Sequence, residues 1–196
     1  MISADLSQAI YYGTFEMLGS LELAELLKKT GFLELRWSDK SCIGLTSKEV
    51  KDLLDSIHEQ YGLLTAQGFY LRIGRVAFQY LRRNDPQIIL DNSIEKRMQL
   101  LDDQIRGELE KDTNWLQENL NCQIHVKKQE SNWIIFVNHP LEYPPEINKA
   151  SFYFLKGFLQ ECLEWIDSRH RFVISYLPDP VHKNSHRISI SSQLID

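Results

Sequence analysis

The stretch CQIHVKKQESNWIIFV, residues 122–137, decides the fold class because the period of its hydrophobic residues changes there. Apolar and polar side chains alternate along residues 122–127, which is the two-residue period of a half-buried strand. Residues 133–137 form a second β-type run, and the polar residues 129–132 lie between the two runs. This arrangement predicts an antiparallel hairpin. An antiparallel sheet therefore begins in the second half of the chain.

Helical spacing dominates the chain upstream of this hairpin. Ser20 and a capping box of Thr46 and Glu49 mark two helix starts, and Gly31 and Gly62 mark the two ends. A third helix has apolar residues on more than one face, which is typical of a helix enclosed on most sides. Two amphipathic helices follow it. The five predicted helices cover residues 21–31, 46–62, 64–83, 94–109 and 112–120.

The chain downstream of the hairpin alternates between helix and strand. A second enclosed helix runs from Phe152 to Ile166, with Gly157 in its middle, and two β-type runs cover residues 172–177 and 187–190. No internal repeat or linker-like segment interrupts this order. We therefore predict a single domain over residues 1–196 of the α+β class, with helices first and then an antiparallel sheet that one helix interrupts.

Composition limits the classes of partner and compartment. The 196 residues include 22 Lys and Arg against 27 Asp and Glu, a net charge of -5, so a nucleic-acid partner is disfavoured. The three cysteines are far apart and odd in number, which excludes a disulfide framework and indicates a reducing compartment. Residues 1–20 lack Lys and Arg, unlike a secretory signal, and no apolar run is long enough to span a membrane. We expect a cytoplasmic protein.

The search for catalytic and metal-binding motifs finds none that is complete. The sequence has no Gly-rich phosphate loop, no nucleophile elbow and no paired metal-binding histidines on a predicted helix. His182 and His186 lie in a proline-flanked loop, and Cys122 and His125 point to opposite faces of a strand. The acidic pair at residues 102–103 lies on a solvated helix face. We predict no catalytic residue, no metal and no cofactor, and therefore a protein that is not an enzyme.

The two enclosed helices are the feature that points to a ligand. Gly68, Gly74 and Gly157 lie among Phe, Leu and Ile residues, and two interpretations are open. The glycines can let helices approach in an ordinary core, or an apolar cavity between these helices and the sheet can accept an acyl chain, an isoprenoid or a porphyrin-sized ligand. The predicted ligand-binding residues are Phe69, Ile73, Gly74, Phe78, Phe154, Gly157 and Phe158.

Three short segments resemble landmarks of one superfamily: GFYLRIGRVAF (68–78), IIFVNHPL (134–141) and YFLKGFL (153–159). The superfamily comprises the small Bet-type subunits of the TRAPP vesicle-tethering complex and the 4-vinyl reductase, or hydrocarbon-binding, domains of bacteria and archaea. The resemblance extends from about Leu18 to Ile190. It implies an α/β-plait with helices packed on one face of an antiparallel sheet, dimers, and an internal apolar channel for a hydrocarbon or tetrapyrrole.

Two departures from that superfamily's pattern limit what is carried over. Residues 175–177 and 184–188 lack the cysteines that bacterial members have near the last two strands, which puts a metal there in doubt. Residues 82–88 lack the acylated cysteine of some tethering subunits.

The resemblance implies a non-enzymatic binding and assembly module, for example an assembly factor for pigment-protein complexes, that holds an apolar ligand. We expect a homodimer, also because the helix from Leu21 to Leu27 is rich in leucine. A peripheral contact with a membrane or a membrane-protein complex fits this function. The alternatives are a ligand-free subunit of a tethering or scaffold complex, and a tetrapyrrole-modifying reductase.

Overall fold

The computed structural model describes residues 4–31, 47–84, 100–120, 123–138, 145–178 and 185–194. Its internal contacts divide the chain into two compact units, which are described separately. The first comprises Met1–Asn84 and Pro144–Leu159, and the second Asp85–Tyr143 and Gln160–Asp196. This division does not test the single domain predicted from the sequence, which stays a prediction. In the part of the chain described, no helix is both long and apolar enough to cross a membrane.

The first unit is helical. Its elements are α1 (Ala4–Lys29), α2 (Ser47–Tyr61), α3 (Leu63–Asn84) and the first part of α5 (Pro145–Ile166). Helix α1 contacts both α2 and α3. The helix ends predicted at Gly31 and Gly62 are confirmed, because both glycines have the positive φ, 76° and 77°, that ends a helix without strain.

Helix α1 begins at Ala4, not at Leu21 as the sequence pattern predicted. Gly19, at φ 78° and ψ 174°, bends the chain between the predicted helix and the additional one before it. Leu6 and Ile10 are buried in the additional part, whereas Phe15 is exposed. Apolar residues thus occur on several sides of this helix, and the single stripe that reveals an amphipathic helix is absent from its sequence.

The second unit combines one long helix with a sheet. Its elements are α4 (Leu101–Leu120), β1 (Gln123–Gln129), β2 (Asn132–Asn138), the end of α5, β3 (His170–Pro178) and β4 (Ser185–Leu194). The strands are all antiparallel and lie in the order β1-β2-β4-β3. Helix α4 packs against β1. The α+β class and the packing of a helix on an antiparallel sheet are therefore confirmed.

The hairpin predicted from the change of period is also confirmed. Gln129 pairs with Asn132, so Glu130 and Ser131 form a two-residue loop, and Glu130 has a positive φ of 53°. Strand β2 lies between β1 and β4, and its Trp133, Ile135 and Val137 are buried.

Two predicted helix boundaries near the sheet were wrong. Residues 101–109 and 112–120 form one continuous helix, α4, because nothing between Leu109 and Asp112 breaks the backbone hydrogen bonds. The beginning of the predicted helix 94–109 lies outside the described residues. Helix α5 begins at Pro145, upstream of the start predicted at Phe152. Proline is well suited to a first helical turn because the amide hydrogens there have no partner in the helix.

Candidate functional site

The seven predicted ligand-binding residues lie on two helices of the first unit. Helix α3 carries Phe69, Ile73, Gly74 and Phe78, and helix α5 carries Phe154, Gly157 and Phe158. Phe69 is half-buried and the other six are buried. The structure thus brings residues from both predicted enclosed helices into one core.

Helices α3 and α5 touch through their backbones at two glycines. A Cβ atom on Gly74 would lie 2.9 Å from the backbone nitrogen of Phe158, and closer still to the backbone oxygen of Phe154. A Cβ atom on Gly157 would lie 2.7 Å from the backbone carbonyl carbon of Leu71. Real Cβ atoms essentially never come within 3.0 Å of such atoms. Only glycine therefore permits this approach.

A third glycine brings α1 to the same helix. A Cβ atom on Gly13 would lie 2.8 Å from the backbone oxygen of Ile73. In contrast, a Cβ atom on Gly68 would meet nothing within 4 Å. Of the two interpretations left open by the sequence, the geometry at Gly74 and Gly157 is that of close helix packing.

Aromatic rings fill the space beside these glycine contacts. The rings of Phe78 and Phe158 meet edge to face with centroids 5.2 Å apart, and Phe154 lies 6.5 Å from Phe158. The guanidinium of Arg82 lies 5.1 Å from the centroid of the Phe78 ring, within the range of a cation–π contact. A ligand-binding role for the seven residues is not tested by these contacts and stays a prediction.

A polar cluster closes the turn between α5 and β3 in the second unit. The Arg169 side chain donates to both carboxylate oxygens of Asp167, at 3.0 Å from Nε and 2.8 Å from Nη2. Nδ1 of His170 lies 3.3 Å from Oδ2 of the same carboxylate. The hydrogen bonds from Arg169 hold the pKa of Asp167 well below its usual range. The carboxylate is therefore ionised at neutral pH and fixes this turn.

Helix α4 buries two carboxylates beside its apolar residues. Glu108 is 4% exposed and Asp112 is 7% exposed. Both lie on the same helix face as Ile105, Leu109 and Leu116, at spacings of three, four and seven residues. The spacing can be read from the sequence, but the prediction of two helices, 94–109 and 112–120, placed Glu108 and Asp112 on different elements.

Metal-binding geometry is not found in the part of the chain that the structure describes, where no three His, Cys, Asp or Glu side chains come together. The side chains of His182 and His186 lie outside the described residues, as does Cys122. Asp102 and Asp103 are exposed in the first turn of α4, as expected, and Asp102 pairs with Lys128 of β1.

Comparison with known proteins gives a match in structure only. Neither a protein-family model nor a curated protein sequence matches the chain. An oxygen-binding H-NOX domain related to soluble guanylate cyclases, solved as its oxygen complex, matches with a TM-score of 0.66 at 10% identity. This match covers 100% of this chain and 96% of that one.

Two further H-NOX structures agree. An unliganded Fe(II) H-NOX variant from K. algicida has a TM-score of 0.63 at 12% identity, and covers 95% of this chain and 96% of its own. An H-NOX protein from S. oneidensis in the Fe(II) ligation state has the same TM-score and identity, and covers 97% of both chains.

These matches correct the family expected from the sequence. The structures matched are H-NOX domains, not TRAPP subunits or vinyl-reductase domains, so that resemblance was wrong. Its three landmarks were short and mostly hydrophobic, and buried helices and strands of many folds contain such runs. The expected function, a binding and assembly module for an acyl chain, isoprenoid or pigment, was inferred from that family and is wrong with it. The chain has the fold of the H-NOX domains.

Proposed function

We propose that this chain is a non-catalytic sensory domain that binds a heme. The observation that supports the proposal is the full-length likeness to H-NOX structures, which covers 95–100% of this chain. Those H-NOX proteins are characterised by a heme, by the distortion of its porphyrin and, in one structure, by a bound oxygen. These properties concern a bound heme and its ligand rather than a catalysed reaction, in agreement with the prediction that this chain is not an enzyme.

A small-molecule partner, expected from the sequence, is consistent with the same likeness, although the class of ligand changes from an apolar chain to a heme. The homodimer, the membrane contact and the cytoplasmic location remain predictions.

None of the three histidines whose side chains the structure describes is fully buried. Iron in a heme is held by an axial His, Cys, Met or Tyr side chain. Among the described histidines, His125 is exposed on β1, His58 is half-buried in the last turn of α2, and His170 is engaged by Asp167. We therefore propose that the iron ligand is one of the histidines whose side chains the structure does not describe, which are His139, His182 and His186.

The first unit contributes a rigid framework. At Gly13, Gly74 and Gly157, the helices α1, α3 and α5 touch through their backbones, and these contacts leave little freedom for the helices to shift. A bound heme would supply an iron that can take a small gaseous ligand. A stiff helical framework suits such a sensor, because small changes at a ligand are transmitted through closely packed elements.

Titration of the purified full chain with hemin tests the proposal. We expect the Soret band of hemin to shift on binding, and the shift to be complete at one equivalent of hemin. Iron-free protoporphyrin should show a smaller spectral shift because it has no iron to bond to the protein. Absorbance that stays that of free hemin, or that rises without saturation, would contradict heme binding.

A scan of the histidines locates the axial ligand. We expect one of the variants His139→Ala, His182→Ala and His186→Ala to lose the shifted Soret band. The matched controls His58→Ala and His125→Ala should keep it. Loss of the band in a control, with none in the first three, would show that the axial ligand is one of the described histidines and that our assignment is wrong.

A further inference from the structure

Strand β3 forms one of the two edges of the sheet in the second unit. Among the described strands it pairs with β4 alone, so one side of its backbone meets no other strand. An edge strand presents backbone N–H and C=O groups to which a further strand can be added. The register with β4 runs without interruption from His170 to Pro178, so β3 has no bulge that would twist this edge away from such pairing.

The opposite edge of the sheet is protected by charge. Strand β1 carries Lys127 and Lys128, and both are exposed. Lysines on an edge strand discourage the addition of another strand, because pairing would take their charges out of water. Residues 172–178, FVISYLP, hold no charged side chain, so this part of β3 lacks the protection. Of the two edges, β3 is therefore the one open to pairing.

Exposed apolar side chains accompany the open edge. Val173 is 38% exposed, Tyr176 39% and Leu177 40%. Side chains alternate along a strand, so Val173 and Leu177 lie on one face of the sheet with Ser175 between them, and Tyr176 lies on the opposite face. Ile134, which shares the face of Ser175 but lies on the interior strand β2, is buried. A strand added beside β3 would cover the side chains that its edge position leaves exposed.

Strand β3 is complementary to an antiparallel copy of itself. When Ser175 lies opposite Ser175 of a second copy, Val173 lies opposite Leu177. In the same register Ile174 lies opposite Tyr176, and by symmetry both pairs occur twice. Directly opposed side chains lie close together on the same face, and a β-branched residue opposite an aromatic one stabilises a sheet. Each exposed apolar side chain of β3 thus meets an apolar side chain of the other copy.

The charges of the two copies do not oppose this pairing. Arg171 lies near the beginning of β3, which extends to Pro178. At about 3.4 Å per residue, the two arginines of the antiparallel pair are more than about 20 Å apart, which exceeds the Debye length of about 8 Å at physiological ionic strength. The repulsion between two copies with a net charge of -5 is screened in the same way.

We propose that β3 pairs with β3 of a second copy of this chain and so forms a homodimer with one continuous eight-stranded sheet. Hydrogen bonds between the two backbones supply affinity, and the opposed side chains set the register. The contact uses the same edge of both copies and has its two-fold axis at Ser175, so it closes at two copies. The edges of the joined sheet are the two β1 strands, whose lysines block further growth.

This interface differs from the one expected from the sequence, which was the leucine-rich helix from Leu21 to Leu27. Leu23, Leu26 and Leu27 are buried within the chain, so the core already uses them. Leu21 is 82% exposed, but a single exposed leucine is common on monomeric proteins. The helix therefore offers a second copy less than β3 does.

Sedimentation velocity of the full chain tests the proposal, and the measurement needs no heme. The chain is examined from micromolar to near-millimolar concentrations at physiological ionic strength. We expect a dimer with twice the chain mass of 23.0 kDa. A monomer at every concentration, or growth beyond the dimer, would overturn the proposal.

Charged variants at Ser175 locate the interface. Ser175→Lys and Ser175→Glu each place two like charges directly opposite one another, so each should weaken the dimer about tenfold or more. An equal mixture of the two variants places opposite charges there and should dimerise again. Because Ser175 is exposed, circular dichroism should show unaltered folding.

The matched control for these variants is Gln123→Lys, which adds the same charge to the same face at the β1 edge. It should leave the dimer unchanged. A dimer that survives both Ser175 variants, or a mixture that stays monomeric, would show that the copies do not meet at β3.

Cross-linking tests the register directly. Directly opposed residues of antiparallel strands have Cα atoms about 4.5–5.5 Å apart, a distance that a disulfide spans. Ser175→Cys should therefore be oxidised to a covalent dimer, whereas Ser131→Cys, in the exposed loop between β1 and β2, should cross-link no more than the parent. If Ser175→Cys cross-links no faster than Ser131→Cys, the strands do not meet at Ser175 and the proposal is wrong.

Discussion

Substituting Gly74 by alanine tests the contact between α3 and α5 at its closest point. The new Cβ atom would overlap the backbone oxygen of Phe154 and lie 2.9 Å from the backbone nitrogen of Phe158. Backbone atoms in the middle of a helix cannot rotate away as a side chain can. The two helices must therefore separate by about 1 Å to restore an ordinary contact distance.

The cost of this separation exceeds the gain in helix propensity. Overpacking a filled core typically costs 1–3 kcal/mol, and a backbone collision should lie near the upper end, at about 3 kcal/mol. Alanine recovers about 1 kcal/mol because it is the better helix former. We expect a net loss of about 2 kcal/mol, which lowers the melting temperature of a chain of this size by about 4–8 °C.

Gly68→Ala is the matched control in the same helix. A Cβ atom there would meet nothing within 4 Å, so only the helix propensity changes and the variant should be more stable by about 1 kcal/mol. Urea unfolding followed by far-UV circular dichroism compares both variants with the parent. If Gly74→Ala proves as stable as Gly68→Ala, the two helices are not in backbone contact and the packing described above is wrong.

Two further substitutions test individual hydrogen bonds. Asp167→Asn should cost about 1–2 kcal/mol at neutral pH. Arg169 holds the pKa of Asp167 well below its usual range, so this stability is present at neutral pH and is lost as the pH falls below about 4. Urea unfolding at several pH values should show the two proteins converging in acid, and a constant difference would refute this. Tyr70→Phe removes the buried hydrogen bond that Tyr70 donates to the backbone oxygen of Leu54 at 2.6 Å, and thermal unfolding should show a loss of about 1 kcal/mol.

Elements with a clear hydrophobic period were predictable from the sequence. Helix α3 and the hairpin of β1 and β2 agree with the predicted ranges within two residues at each end. The hydrophobic period is 3.6 residues in α3 and 2 residues in the strands, and it persists over each whole element. A glycine or a polar turn marks each boundary. Tertiary packing did not alter these local preferences.

The first half of α1 and the continuity of α4 were not predictable in this way. Around Tyr12 and Phe15 the apolar residues are both buried and exposed, so burial leaves no stripe in the sequence. In α4 the buried Glu108 and Asp112 interrupt an otherwise apolar face, and the pattern reads as two shorter helices. Burial of charged side chains depends on partners elsewhere in the fold, which a local pattern does not contain.

The candidate site shows the same limit. Gly74 and Gly157 in apolar helices indicate that other atoms lie close to the backbone. A glycine is expected there whether those atoms belong to a ligand or to a second helix. Only the structure shows that Gly74 faces the backbone of α5 and that Gly157 faces the backbone of α3.

The most direct test of heme sensing is the response of the reduced, heme-loaded full chain to a gas. We expect the Fe(II) protein, prepared with one equivalent of heme without oxygen, to shift its Soret band when carbon monoxide is added and to recover when the gas is removed. A spectrum that matches free heme before and after the gas would contradict the account, because the H-NOX fold of this chain would then carry no heme sensor.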